Sequence, residues 1–354
     1  MSLPVSYSLE PGERVVVTGA AGFIGSAVTR ELVGRGAEVV ALVQPGGDTR
    51  NLDGMEVEQI IVDLRDADGV TKAVDGARTV FHLAALYRFW AADPQSFYEV
   101  NVIGTRNLLE AAERAGVGRV VYTSTVGTLG LRGATVGAPV DETSYAQVDH
   151  LFGPYKQSKY VAEHEVLRAA AQGLPVVLVQ PTTPVGPGDL GPTPTGRTVL
   201  EFLNGRFPAY VDTTLNIVDV DDVAHGHLLA AERGSIGRSY ILGGENLSLQ
   251  QILASLADTA GLSAPTRRVP SSLAVLAATV SGVIEGRLLH REPTIPLEAA
   301  KMSTTQMSFD DGRARRELGY TSRPAGVALA RAAHWFADAG FVRPERLDRF
   351  RWAS

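Results

Sequence analysis

At 354 residues and 45% apolar content, the chain can bury a substantial core as one large domain or two lobes. A formal charge of −6 with both signs interspersed excludes the basic stripe that nucleic-acid binding needs. The absence of cysteine excludes disulfides, thiolate metal sites and cysteine nucleophiles.

Met1 to Glu13 has neither the basic nor the apolar region of a secretory leader, so a cytoplasmic protein is expected. Arg14–Thr18 is a β-branched run that leads into Thr18-Gly19-Ala20-Ala21-Gly22-Phe23-Ile24-Gly25, and Phe23–Arg35 follows with helical spacing. Strand, glycine turn and helix in that order suit a dinucleotide. A side chain on the glycines would block the tight turn, the approach of a pyrophosphate to the backbone N–H groups around Gly19, Gly22, Phe23 and Ile24, or helix–strand packing. The second strand, Glu38–Val43, ends at Val43-Gln44, where an acid would hold the adenosine ribose of NAD. With no acid there, and with Arg50 in the next loop, NADP is favoured and NAD is the alternative.

A third strand, Gln59–Val62, precedes Asp63-Leu64, a candidate adenine-edge contact that equally suits a plain strand-end cap. Helix Asp66–Val74 and strand Thr79–Leu83 follow. The fourth strand closes on His82-Leu83-Ala84-Ala85, small enough for the cofactor to lie close along Leu83, Ala84 and Ala85. After helix Phe97–Ala115, strand Arg119–Thr123 runs into Ser124-Thr125 and brings hydroxyls, Thr123 included, to a strand's C-terminal end.

The next helix, Tyr155–Ala171, opens on Tyr155-Lys156-Gln157-Ser158-Lys159. Tyr155 and Lys159 are four apart and share a face. A phenol titrates near 10, so work at neutral pH asks for a shift of about 4 kcal/mol. An ammonium about 4 Å away at an effective dielectric near 20 supplies roughly that much. Lys159 is therefore expected to tune Tyr155 into range. In reduction, Tyr155 would protonate the alkoxide, Thr125 would hydrogen-bond the same oxygen, and Lys159 would hold the nicotinamide ribose.

Strand Pro175–Val179 gives way to a Pro- and Gly-rich loop, Pro181–Pro194, which places Pro181, Thr182, Thr183 and Pro184 where open α/β sheets bind ligands. Leu215–Val218, helix Val220–Glu232 and strand Ser239–Leu242 are expected to return to the sheet. His225 and His227 lie near Asp219, Asp221 and Asp222, but two helical neighbours two apart face different ways, so no metal site is expected. Ser248 onward is mostly helical. Its apolar stretch Leu273–Ile284 is shorter than the roughly 20 residues of a membrane span and suits a packed or interfacial helix, leaving peripheral membrane contact open. The alternation defines an α/β protein with a Rossmann-type doubly wound parallel sheet and a smaller, mostly helical C-terminal substrate lobe. Residues 12–182 plus 213–243 are assigned to the NAD(P)-binding part, 183–212 plus 244–340 to the lobe, and 1–11 and 341–354 to tails.

Thr18-Gly19-x-x-Gly22-x-x-Gly25, Asp63-Leu64, His82-Leu83-Ala84-Ala85, Asn101, Ser124-Thr125, Tyr155-x-x-x-Lys159 and Pro181-Thr182-Thr183 together resemble the extended short-chain dehydrogenase/reductase superfamily over about residues 14–340. Tyr87-Arg88-Phe89-Trp90, Pro192–Arg197, Pro208–Thr213 and Ile241–Asn246 resemble stretches of its dihydroflavonol-reductase-like members and of the hopanoid-associated sugar epimerase family. The resemblance implies an NAD(P) site, catalytic roles for Thr125, Tyr155 and Lys159 with Asn101 in support, and a homodimer formed through two helices beside the sheet. Two positions depart from it. Thr125 stands where the family usually has Ser, and Asp219 where it usually has His, which leaves three acids together.

Tyr87, Trp90, Thr125 and Pro184 are the candidate substrate contacts. With Phe89, Phe97, Tyr98 and Val185 they suit a bulky lipophilic substrate, and equally suit lobe packing. Arg197, Arg206, Arg267, Arg268 and Arg287 are candidate diphosphate ligands by type and ordinary surface charges otherwise. The expected activity is NADP(H)-dependent reduction of an aldehyde or ketone on a lipid-like or polyol-bearing small molecule. A nucleotide-sugar 4-epimerase is the alternative, and a non-catalytic NAD(P) sensor is the rival of a different class. A dehydratase is disfavoured, because Val126-Gly127 stand where that chemistry places acids.

Overall fold

Valine-rich strands without polar alternation belong in a sheet covered on both faces, and the chain builds one. The structure is a computed structural model that describes residues 7–88, 90–91, 93–131, 138–144, 146–147, 151–282, 285, 297–348 and 350. In chain order its first half contains β1 (Arg14–Thr18), α1 (Phe23–Gly34), β2 (Glu38–Val43), β3 (Glu58–Ile61), α2 (Ala67–Val74) and β4 (Thr79–His82). There follow α3 (Gln95–Tyr98), α4 (Gly104–Arg114), β5 (Arg119–Thr123), α5 (Pro154–Ala171) and β6 (Val176–Pro181). The second half has β7 (Thr183–Val185), α6 (Pro194–Leu203), β8 (Tyr210–Val211), β9 (Thr214–Asp219), α7 (Val220–Arg233) and β10 (Ser239–Leu242). It closes with β11 (Glu245–Ser248), α8 (Leu249–Ala260), β12 (Arg268–Val269), α9 (Ser271–Ser281), α10 (Leu297–Met302), α11 (Ala325–Asp338) and α12 (Pro344–Leu347).

The seven-stranded parallel sheet has the order β10-β6-β5-β4-β1-β2-β3. Successive residues of each strand feed opposite layers. Val15, Val17, Phe81, Val121, Val177 and Val179 join the α1 and α7 side. Val16, Val80, Val120, Tyr122, Val176 and Leu178 join the side covered by α2, α4 and α5. Strand order reverses between β1 and β4, which opens the crevice where doubly wound sheets receive ligands.

Three expectations are corrected. Leu215–Val218 does not rejoin the main sheet. It lies within β9, which pairs parallel with β7 and antiparallel with β11 in a separate three-stranded sheet, and only β10 returns. A short buried strand has the same apolar pattern in either sheet, so periodicity could not separate them. The β7 strand likewise occupies part of what read as a Pro–Gly loop. In addition, the helix read as Phe97–Ala115 is broken by a π-helical turn at Glu99–Ile103, between α3 and α4.

The three clustered acids are a clamp between the halves. Asp219, fully buried, caps α7 by accepting from the Asp221 N–H and takes both 2.6 Å contacts of Arg331 from α11. Arg331 also reaches Asp221 at 2.5 Å, and Arg323 reaches Asp222 at 2.8 Å. His225 pairs with Glu31 at 2.8 Å, whereas His227 is buried between Thr123 and the Val223 carbonyl. The family-like stretch Pro192–Arg197 starts α6, where Thr193 caps the helix and itself donates to the buried Asp189. Among the described residues no helix is long and apolar enough to cross a membrane. The described part of Leu273–Ile284 is in α9, with Leu273 and Leu276 exposed; Phe89, Arg287 and the end of that stretch lie outside the described residues.

Candidate active site

At the crevice, Thr18 ends β1 and accepts from the Ala84 N–H at 3.1 Å, while its hydroxyl lies 2.8 Å from His82 Nδ1. His82 Nε2 meets Thr105 at 2.9 Å, and burial holds its pKa down to about 3, so the ring is a neutral strut. This chain of contacts brings Ala84 against the glycine turn. Gly19 has φ +66°, and a Cβ on it would stand 2.9 Å from Ala84 backbone atoms. A Cβ on Gly25 would stand 2.0 Å from the Gly19 carbonyl oxygen. Gly22 is the N-cap of α1 and offers no side chain to satisfy the first N–H groups there, at Phe23 and Ile24. Backbone donors at an uncapped helix start, with no side chain in the way, fit a dinucleotide pyrophosphate.

The adenosine end is more heavily paired than the sequence suggested. Gln44 is exposed just beyond β2, and Arg50 is held by Asp48 through contacts of 2.5 to 3.0 Å. Hydrogen bonds from Arg50 keep the Asp48 carboxyl down at about 2. Asp63 is engaged by Arg65 at 2.7 Å, and Arg65 also reaches Glu99. Leu64 is buried under Gly104. Asn51, which nothing in the sequence singled out, donates to the carbonyls of Ala21 and Gly188 and so ties the glycine turn to the loop after β7. Pro181 closes β6. Thr182 donates to Asn216 at 2.8 Å, and Thr183 opens β7 beside Pro184.

Beyond β5, α5 presents the candidate catalytic pair Tyr155, 8% exposed, and Lys159, 3% exposed, on one face. Thr125 caps a short 3₁₀ turn by accepting from the Gly127 N–H at 3.1 Å, and its hydroxyl acts to lower the Tyr155 pKa. The Tyr87 ring packs on the Tyr155 ring at 4.8 Å, and Trp90 lies half-buried farther along the same loop. Asn101, in the π-helical turn, donates to Ser158 at 2.9 Å and accepts from the Leu86 N–H at 2.7 Å, which joins that loop to α5. The π turn thus aims a side chain that a regular helix would carry elsewhere.

The expected tuning of Tyr155 by Lys159 is corrected. Lys159 Nζ donates to the Tyr122 hydroxyl and the Thr123 carbonyl, both at 2.8 Å, and sits 4.4 Å from the Tyr122 ring centroid. Burial pushes the Tyr155 phenol up, with the neighbouring Tyr87 and Glu298 adding to it and the Thr125 hydrogen bond opposing. Burial lowers Lys159 to about 7, against the pull of Glu163 one turn away. Thr123 supplies its carbonyl here; its hydroxyl turns to His227. Glu163, which also accepts from Ser124 and Thr128, could have been found by its i,i+4 spacing from Lys159. Tyr122 and Glu298 had no local signal.

The Lys159 shift has a testable sign. Its folded pKa lies below the ordinary 10.5, so between about pH 7 and 10.5 the unfolded chain holds a proton that the folded chain has released. Stability from this group therefore rises with pH across that window. Lys159→Met abolishes the burial cost, so its melting temperature relative to wild type is expected to be highest at pH 7 and to fall by pH 10. Thermal unfolding of both proteins at three pH values reads this directly, and a constant difference would sink it.

Compared with known proteins, residues 15–243 match the NAD dependent epimerase/dehydratase family. A dihydroflavonol 4-reductase-like protein of Synechocystis sp. is 42% identical over 97% of this chain and 100% of its own length. Sterol demethylase protein B of Methylococcus capsulatus is 35% identical over 92% of this chain and 99% of its own. Among solved structures, a nucleoside-diphosphate-sugar epimerase from Pseudomonas aeruginosa is 27% identical with a TM-score of 0.77, covering 94% of this chain and 99% of that one. The chain belongs to the NAD-dependent epimerase/dehydratase family. It is an NAD(P)-dependent enzyme of the short-chain dehydrogenase/reductase type.

Proposed function

We propose that the protein is an NADP(H)-dependent reductase of an aldehyde or ketone carried on a lipid-like or polyol-bearing small molecule. The observation that supports this reading is the buried Tyr155, with its ring packed on Tyr87 and Lys159 beside it on α5. NADPH, when bound, supplies hydride to the carbonyl carbon. Thr125 orients the carbonyl oxygen, and Tyr155 gives it the proton that completes the alcohol. A phenol held high by burial stays protonated until that moment, which suits a donor. Lys159 would hold the nicotinamide ribose with the N–H that Tyr122 and Thr123 leave, and Asn101 and Ser158 would position α5.

The pyrophosphate would lie on Gly19, Gly22, Phe23 and Ile24, and the adenine near Asp63 and Leu64. Leu83, Ala84, Ala85, Pro181, Thr182 and Thr183 would line the remainder. Preference for NADP rests on the missing acid at Val43-Gln44 and on Arg50, which would exchange Asp48 for the 2′-phosphate. Tyr87, Trp90 and Pro184 are the proposed apolar substrate contacts, and a relative named for sterol demethylation is in keeping with a lipid-like substrate.

The epimerase reading draws on the Pseudomonas neighbour and would use the same residues to oxidise and re-reduce one sugar carbon. Mass spectrometry of nucleotide released by acid from freshly purified protein separates the two. Mostly empty sites that fill with NADPH, and NADPH oxidation on adding ketones, are expected. Near-stoichiometric retained NAD would overturn the reductase reading, and binding without turnover of any carbonyl compound would leave a sensor.

A further inference from the structure

Tyr155, Lys159 and Glu163 follow one another at four-residue steps down one face of α5. Glu163 is half-buried, and one of its oxygens, Oε2, gathers donors from outside the helix. The Ser124 hydroxyl, just past β5, donates to it, and so does the Thr128 hydroxyl at 2.9 Å. The side-chain amide of Gln180, from β6, stands 3.4 Å away, at the long limit of hydrogen bonding. Ser124, Thr128 and Gln180 are all buried, so water does not compete for these donors. Hydrogen bonds onto a carboxylate are also the stronger kind.

The two hydroxyl donors bracket Thr125. Ser124 precedes it, and Thr128 ends the 3₁₀ turn that Thr125 caps. The Thr128 N–H donates to the Thr125 carbonyl at 3.1 Å, and the Thr128 hydroxyl is shared between that carbonyl, at 2.8 Å, and Glu163. Both ends of the turn are thereby fastened to α5, one helical turn beyond Lys159. A single 3₁₀ turn has no ladder of its own to fix its pitch. Side-chain bonds to a long helix do that instead.

We propose that Glu163 is a positioning residue, which pins the turn that carries Thr125 to the helix that carries Tyr155 and so aims both hydroxyls at one substrate oxygen. This rests on the roles proposed for Thr125 and Tyr155 and adds the residue that sets their alignment. Glu163 touches neither substrate nor cofactor in this role and acts through Thr125.

The test follows single-turnover reduction of 3-decanone by the full chain with saturating NADPH, which keeps any loss of cofactor affinity through Lys159 out of the rate. Glu163→Ala is expected to slow the reaction about tenfold. Glu163→Gln should recover most of that, because its amide oxygen still accepts from both hydroxyls. In a Thr125→Val background Glu163→Ala should cost at most about twofold, since no hydroxyl is left for the pin to aim. Losses that multiply in the double variant would make Glu163 a general support of the fold and overturn the inference. So would a rate that Thr125→Val lowers and Glu163→Ala does not.

Amide hydrogen exchange at Gly127, Thr128 and Leu129 reads the pin without turnover, and should be about tenfold faster in Glu163→Ala and close to wild type in Glu163→Gln. Ser124→Ala removes one arm of the pin from the other side, should loosen the same amides, and serves if Glu163→Ala does not fold. Unchanged exchange would overturn the inference. If exchange quickens as expected but Thr125→Val matches wild type in rate, or wild type itself leaves the ketone unreduced, the pin stands and the reductase reading falls.

Discussion

Tyr155→Phe is expected to lower kcat by about 10² to 10⁴ while leaving NADPH affinity unchanged. The substitution removes one oxygen from a ring that stays packed on Tyr87 at 4.8 Å, so the pocket keeps its shape. Thr125 remains to hold the carbonyl oxygen, which is why some turnover should survive. Its hydroxyl keeps the contact from the Gly127 N–H. Folding should not suffer much, because the ring keeps its packing on Tyr87 when the one oxygen is lost. Single-turnover rates with saturating NADPH read the proton-transfer step apart from binding. Undiminished activity would mean that another group delivers the proton and that Tyr155 is a packing residue.

Gly25→Ala is expected to weaken NADPH binding by about a hundredfold and to cost about 1 to 3 kcal/mol of stability. The added methyl would fall 2.0 Å from the Gly19 carbonyl oxygen. That neighbour is backbone, so no side-chain rotation relieves the clash. The first turn of α1 must move off the glycine turn, and the N–H groups at Phe23 and Ile24 lose their common aim. Gly34→Ala, at the other end of the same helix with nothing within 4 Å of its Cβ, is the control. It should leave affinity alone and stabilise slightly, since alanine is the better helix former. NADPH fluorescence titration and urea unfolding of the two variants check the contrast, and similar affinities would remove the glycine turn from the cofactor site.

What the sequence disclosed and what it hid divide by range. The glycine turn, the Tyr155 and Lys159 spacing and the valine strands are local patterns, each imposed by one turn, one helix face or one buried strand. They were legible for that reason. Sheet membership of β9 was not, because its apolar run suits either sheet and it is the pairing with β7 and β11 that sets it apart. The partner of Lys159 was misjudged because its four-residue offset from Tyr155 says nothing about Tyr122 on the strand beneath. The Asp48 grip on Arg50 was within reach, two residues away, but a loop charge carries no pattern that separates partner from ligand. Glu298 was hidden altogether, since only the tertiary fold brings it to Gly153, the N-cap of α5.

The acid–arginine clamp bears on how this enzyme could be recombined. Its carboxylates Asp219, Asp221 and Asp222 sit at the start of α7, within the family-matched residues 15–243, whereas Arg323 and Arg331 lie beyond them in the chain. A chimera that joined residues 1–243 of this chain to a relative's C-terminal part would inherit the fully buried Asp219 and its neighbour Asp222 without their arginines, and Asp221 with Arg30 alone. The family-matched stretch, residues 15–243, is thus not a portable module, since its fold is completed by charges that lie beyond it in the chain.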